Sequence, residues 1–128
     1  MGHGDEICFG DSNFPSRSMA KTGDTELIRL DGHGMVDILE AVLKLMPLDT
    51  FVASPVKLME RSPGDETPCP IWDDYIATIY KYDQRGKDCV EFVERFKFYD
   101  LARNCFAIVA TGETAIYANI ILKKGVIK

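Results

Sequence analysis

The sequence predicts an α/β domain with a mostly parallel central sheet. Three observations carry that prediction. Segments of helical period alternate with short extended segments along the chain. Two continuous apolar runs, residues 105–110 (CFAIVA) and 118–122 (ANIIL), are bounded by Gly112 and Gly125 and suit strands buried on both faces. Polar residues stand where several strands stop, the place where ligands collect in open α/β sheets.

Residues 6–11 (EICFGD) read as a short strand ending on a polar residue. Residues 12–24 and 61–70 carry Gly and Pro and read as loops. Residues 26–30 (ELIRL) alternate and stop at Asp31-Gly32, a turn signal. From Met35 the period changes: Met35, Ile38, Leu39, Val42, Leu45 and Met46 line one face of a helix. Pro47 ends it, because the residue before a proline is pushed out of the helical region. Residues 50–52 and 56–59 look extended. A second helix follows Pro70, with Trp72, Tyr75, Ile76 and Ile79 sharing a face and Asp73 and Asp74 complementing the dipole at its start. Residues 91–98 suit a strand and a helix equally.

The chain has 128 residues, which fits one domain over 1–128 with a core that needs no disulfide. Its net charge of -5 leaves no basic stripe for phosphate backbones, so nucleic acid and anionic membranes are not expected partners. No apolar run approaches the roughly 18 residues of a membrane span. The cysteines at 8, 69, 89 and 105 form no CxxC pair and no zinc spacing. Three have apolar neighbours, as free thiols of a reducing compartment do, and the cytosol is the expected location.

Three clusters carry candidate chemistry. Residues 2–6 (GHGDE) precede 11–15 (DSNFP). A histidine between two glycines is uncrowded, and an imidazole titrates near neutrality, so His3 suits proton transfer. The same spacing fits a free N-terminal end with an incidental histidine. In residues 111–119 (TGETAIYAN), Gly112 marks a sharp turn after a buried strand. On an extended segment Tyr117 and Asn119 would point to the same side and bond a sugar's hydroxyls, or else the backbone at a strand edge. Residues 94–100 (ERFKFYD) read as a charged face with Phe96 and Phe98 turned inward. Trp72 could stack on the apolar face of a sugar or lie in the core. His33 reads as part of a loop or a helix start, and the full phosphate-loop fingerprint is missing around Gly32 and Gly34.

Taken together, the stretches MGHGDEICFGDSNFP, ELIRLDG, LEAVLKLMPLDTFV and ERFKFYDLARNCFAIVATGETAIYANIILKKGV resemble the family shared by fucose mutarotases and ribose pyranases. The Leu-Asp-Thr and Glu-Arg-Phe-x-Phe-Tyr segments are similar to the animal-type fucose branch. The resemblance implies a three-layer α/β/α domain around a mixed, mostly parallel six-stranded sheet, a homo-oligomer, and no metal or cofactor. It implies that His3 is catalytic and that Asp11 binds the sugar. Asp49, Met59, Tyr99, Tyr117 and Asn119 match the remaining pocket positions, and Arg95 and Trp72 match motif residues near the pocket. Two departures stand out. The family has Tyr-Gly-Asn where this chain has Tyr117-Ala118-Asn119, and it carries a helix ahead of GHGDE where this sequence begins at Met1. The expectation is a mutarotase domain without that first helix.

The implied reaction opens a pyranose ring and recloses it on the other face of C1. His3 supplies one proton-transfer group, with Tyr99, Tyr117 or a water as its partner. Asp11 orients His3 or binds a hydroxyl, Asn119 holds the sugar, and Asp49 binds a hydroxyl or tunes a neighbour. Met59 and Trp72 are candidates for an apolar wall against the methyl edge of fucose. The alternatives are a ribose pyranase and a catalytically impaired sugar-binding homologue. A metal-dependent isomerase would need converging His, Glu and Asp ligands, and only two histidines exist.

Overall fold

The computed structural model describes residues 1–128 as six strands and four helices. The strands are β1 (Glu6–Gly10), β2 (Glu26–Leu30), β3 (Val56–Met59), β4 (Val90–Val93), β5 (Ala107–Thr111) and β6 (Ile120–Lys123). The helices are α1 (Ser16–Gly23), α2 (Met35–Leu45), α3 (Ile71–Tyr80) and α4 (Arg95–Arg103). One sheet holds all six strands in the order β2-β5-β1-β6-β3-β4. β1 and β2 pair parallel with β5, and β3 pairs parallel with β4. Only β6 runs against its neighbours, β1 and β3. The mixed, mostly parallel sheet and the three layers are as the sequence and its resemblance imply.

The period-2 rule explains why the central strands are apolar throughout. Phe9, Val109, Ile120 and Leu122 face a core they share with Met35, Leu39, Tyr75 and Ile79 of α2 and α3. Cys8, Ile108 and Ile121 face the other way, toward Met19, Phe98 and Ala102 of α1 and α4. Each such buried aliphatic or aromatic side chain contributes about 1.5–3 kcal/mol, so one interrupted strand would damage both cores. No helix is long and apolar enough to cross a membrane.

Four local expectations need correction. Residues 12–24 are not all loop: Ser16–Gly23 forms α1, too short to show a period because only Met19 and Ala20 supply its apolar contact with the core. Residues 50–52 bend and pair with nothing, since the local backbone turns around the Asp49 side chain instead. The ambiguous 91–98 stretch is both things in succession. Strand β4 ends at Val93, and Glu94 then caps α4, its carboxylate accepting the N–H groups of Phe96 and Lys97 at 3.0 Å each. Phe98 is fully buried, but Phe96 points outward with 65% of its surface exposed.

The path of the chain positions the site. It leaves β1 through α1 to β2 at one edge, returns through α2 to β3, and continues through α3 to β4. The direction therefore reverses around β1, and ligands gather beyond the carboxyl ends of strands at such a switch point. Asp11 follows β1, Met59 ends β3, Arg95 and Tyr99 begin the helix after β4, and Asn119 precedes the antiparallel β6. All arrive at the same end of the sheet.

Candidate active site

Asp11 is the most buried charge there, 4% exposed, and the chain bonds it from two sides. One carboxylate oxygen accepts the N–H of Asn13 at 3.0 Å, a local turn, and the other accepts the N–H of Ala118 at 3.1 Å. Burial raises its pKa above the usual carboxylate range, and those N–H bonds oppose the rise. Hydrogen bonds to a charged group contribute about 1.5–3 kcal/mol each, enough to lock the segment carrying Tyr117 and Asn119 against β1. The lock is doubled: the Tyr75 hydroxyl donates to the Ala118 carbonyl at 2.7 Å, and the Asn119 side-chain oxygen accepts the Asp11 N–H at 2.8 Å.

Tyr117 is not on an extended segment. Its φ is +53, a left-handed turn conformation, and Ala118 takes no such value. Alanine at 118 is therefore compatible with the backbone, and the strained residue is the tyrosine. The Trp72 indole N–H donates to the Tyr117 carbonyl at 2.8 Å and fixes the turn from behind. Trp72 does not line the cleft. It packs edge-on against Phe92 at 4.7 Å between centroids, with the Arg61 guanidinium over its ring.

The cleft has a volume of about 310 Å³ and is walled by Asp11, Asn13, Phe14, Met59, Ser62, Asp65, Arg95, Tyr99, Ile116, Tyr117 and Asn119. Sites for small ligands begin at about this size. Arg95 and Tyr99 lie one helical turn apart on α4, and the Arg95 Nε donates to the Tyr99 oxygen at 3.0 Å. Across the cleft the Tyr117 hydroxyl donates to Asp65 at 2.6 Å. Met59, Phe14 and Ile116 supply the cleft's apolar lining. Polar donors and acceptors beside an apolar wall suit a deoxy sugar.

Of the residues expected at the site, Asp11, Met59, Arg95, Tyr99, Tyr117 and Asn119 come together here. His3 and Asp49 do not. The His3 Nε2 meets the Asp49 carboxylate at 3.0 Å, and its ring packs on Phe51 at 5.0 Å between centroids. The pair sits where β6 ends: Gly4 bonds Lys124, and Asp49 bonds Lys123. Asp11 sits where β1 ends, so at ~3.3 Å per residue roughly 20 Å of strand separates the two within one chain. The expectation that Asp11 orients His3 fails for a single chain, and Asp49 is the histidine's partner. The Phe51 N–H and then His3 lower the Asp49 pKa against the opposing effect of burial.

Asp65 and Ser62 were missed by sequence reasoning, hidden in a Pro- and Gly-bearing loop. The signal was present: the loop follows a strand whose last residue lies at the carboxyl end of the sheet. A larger groove of about 680 Å³ lies at the opposite end, beside Phe51. Its lining is mostly apolar, with Leu45, Phe51 and Ile127 well exposed, and its one acidic side chain, Asp83, is held by Arg85. The smaller cleft is thus the candidate for chemistry.

The model of the RbsD / FucU transport protein family matches residues 1–127. The chain is 49% identical to fucose mutarotase of Homo sapiens, over 99% of this chain and 82% of that protein. Among solved structures, FucU from Bifidobacterium longum superposes with a TM-score of 0.97 at 48% identity, covering 100% of this chain and 88% of that one. The fucose mutarotase of Streptococcus pneumoniae, solved in complex with L-fucose, gives a TM-score of 0.91 at 44% identity, over 100% of this chain and 87% of the other.

Proposed function

The chain belongs to the RbsD / FucU transport protein family, and from that premise we propose that it is an L-fucose mutarotase. It is an isomerase that interconverts the α and β anomers of the free sugar. The observation that carries the reading is the single cleft where Asp11, Asn119, Tyr99, Tyr117 and Arg95 surround an apolar patch. D-ribose as the main substrate has less support, because the similar proteins of high identity carry the fucose name.

Mutarotation needs one group to take the C1 hydroxyl proton and another to protonate the ring oxygen as the C1–O bond breaks. The phenols of the cleft and the His3 imidazole are the groups suited to this. Asp49 holds one His3 nitrogen and leaves the other to act, the arrangement of a base oriented by a carboxylate. Since His3 lies at the far end of its own sheet, it serves the cleft of a second copy. Apolar surface at both ends supports that assembly: Leu45, Phe51 and Ile127 are exposed near His3, and Phe96 and Ile116 near the cleft. Two different patches meeting make a head-to-tail contact, which forms a ring when its rotation closes. This arrangement makes the protein a homo-oligomer whose site is shared between copies.

The experiment is magnetisation transfer between the α and β anomeric protons of L-fucose, with and without the protein. Exchange well above the buffer rate supports the reading, and exchange at the buffer rate removes it.

A further inference from the structure

The two phenols of the cleft hold their hydroxyl protons in opposite ways. A phenol has one proton to donate and two lone pairs to accept with. The Tyr117 hydroxyl gives its proton to one Asp65 oxygen at 2.6 Å and accepts the N–H of Ser62 at 3.3 Å. A single lone pair is left for whatever enters the cleft. The Asp65 carboxylate cannot swing away, because its other oxygen accepts both the N–H of Thr67, at 2.9 Å, and the Thr67 hydroxyl. The Thr67 hydroxyl first, the Tyr117 hydroxyl next and the Thr67 N–H after them hold its pKa down to about 2, so it stays an acceptor at neutral pH. The turn at Tyr117 and the Trp72 bond to its carbonyl fix the backbone from which the ring projects.

Tyr99 is the reverse case. Its oxygen accepts from the Arg95 Nε, and a guanidinium has no acceptor, so the Tyr99 proton stays free for the cleft.

We propose that Asp65 is a positioning residue that presents Tyr117 to the sugar as a hydrogen-bond acceptor and so keeps it out of the proton transfer. The inference deepens the mutarotase reading and rests on it for the identity of the ligand. In the ring-opening step the Tyr99 O–H bond breaks and its proton goes to the ring oxygen, which receives the electron pair of the breaking C1–O bond. The C1 hydroxyl proton leaves to the His3 imidazole of a second copy as the C1 carbonyl forms. The Tyr99 phenolate beside the Arg95 guanidinium takes the proton back on reclosure. Tyr117 binds a sugar hydroxyl that donates, and no proton moves through it.

The test is Asp65→Asn. The oxygen of the new amide must stay with the two Thr67 donors, so its NH2 group faces Tyr117 and forces the phenol proton into the cleft. The contact survives while its polarity reverses. The expected result is a KM for L-fucose about tenfold higher, the size of one lost hydrogen bond, with a smaller effect on kcat. In a Tyr117→Phe background the same change is expected to have little further effect, since no hydroxyl remains to reverse. Tyr99→Phe should instead lower kcat by about 10²–10⁴ with KM little changed. An Asp65→Asn enzyme with unchanged KM, or an equal loss in the Tyr117→Phe background, overturns the proposal while leaving the mutarotase reading intact. A readout independent of turnover completes the test. A downfield hydroxyl proton resonance should vanish in Tyr117→Phe and in Asp65→Asn and persist in Tyr99→Phe. Its absence from the unsubstituted protein overturns the proposal even if fucose is not the substrate.

Discussion

Glu113 accepts the backbone N–H of Met35 at 2.9 Å, although 78 residues separate them. Helix α2 has no side-chain cap of its own at Gly34, and this carboxylate from the loop after β5 supplies one. The other Glu113 oxygen accepts the N–H of Ala115 at 3.0 Å, and the Glu113 carbonyl accepts that of Ser12 at 2.8 Å. One residue thus ties a helix start to both segments that flank Asp11 and Tyr117.

Removing that carboxylate should cost both stability and binding. Glu113→Ala is expected to lower stability by about 1–2 kcal/mol, the value of a lost helix cap, and to raise the KM for fucose. Glu113→Gln, which keeps one acceptor, should lose about half as much. Denaturant melts and initial rates check both, and a Glu113→Ala protein as stable as the original contradicts the capping role.

The Asp49–His3 pair predicts a pH dependence of stability. The folded-state pKa of Asp49 is lowered, so its contribution is present above the ordinary carboxylate pKa and is lost as pH falls below about 4. Asp49→Asn retains an acceptor for the Phe51 N–H but not the charge. The stability difference between the two proteins should therefore level off above about pH 5 and shrink towards pH 3. A difference that is constant over that range would show that the carboxylate's ionisation contributes nothing.

His3→Ala should lower turnover by about 10²–10⁴ and leave fucose affinity nearly intact. His3 does not line the cleft of its own chain. Rates and ligand titration measured on the same preparation separate the two effects. Full turnover in that variant removes His3 from the mechanism.

Much of the fold was legible because burial on both faces writes itself into composition: CFAIVA and ANIIL became the central β5 and β6. Helix α2 was legible because Met35, Ile38, Leu39 and Val42 keep the helical period, although Leu45, expected on the same face, is 82% exposed and Met46 lies just beyond the helix end. Helix α1 was not, since Met19 and Ala20 alone cannot set a period. At the site, residues at strand ends were found and loop residues were not. Asp65 matters through its bond to Tyr117 across 52 positions, and no local pattern encodes such a bond. The separation of His3 from Asp11 was also hidden. A strand puts neighbours in sequence at opposite ends of a sheet, and both residues stood in one N-terminal motif.

The shared site is tested most directly by mixing two dead proteins. His3→Ala keeps its cleft, and Asn119→Ala keeps its histidine. Refolded together, they should form some sites with an intact cleft from one copy and His3 from the other. In a random head-to-tail ring about a quarter of the sites are whole, so L-fucose anomer exchange should recover to about a quarter of the original rate. Exchange no faster than either variant alone would contradict the claim that a second copy completes the site.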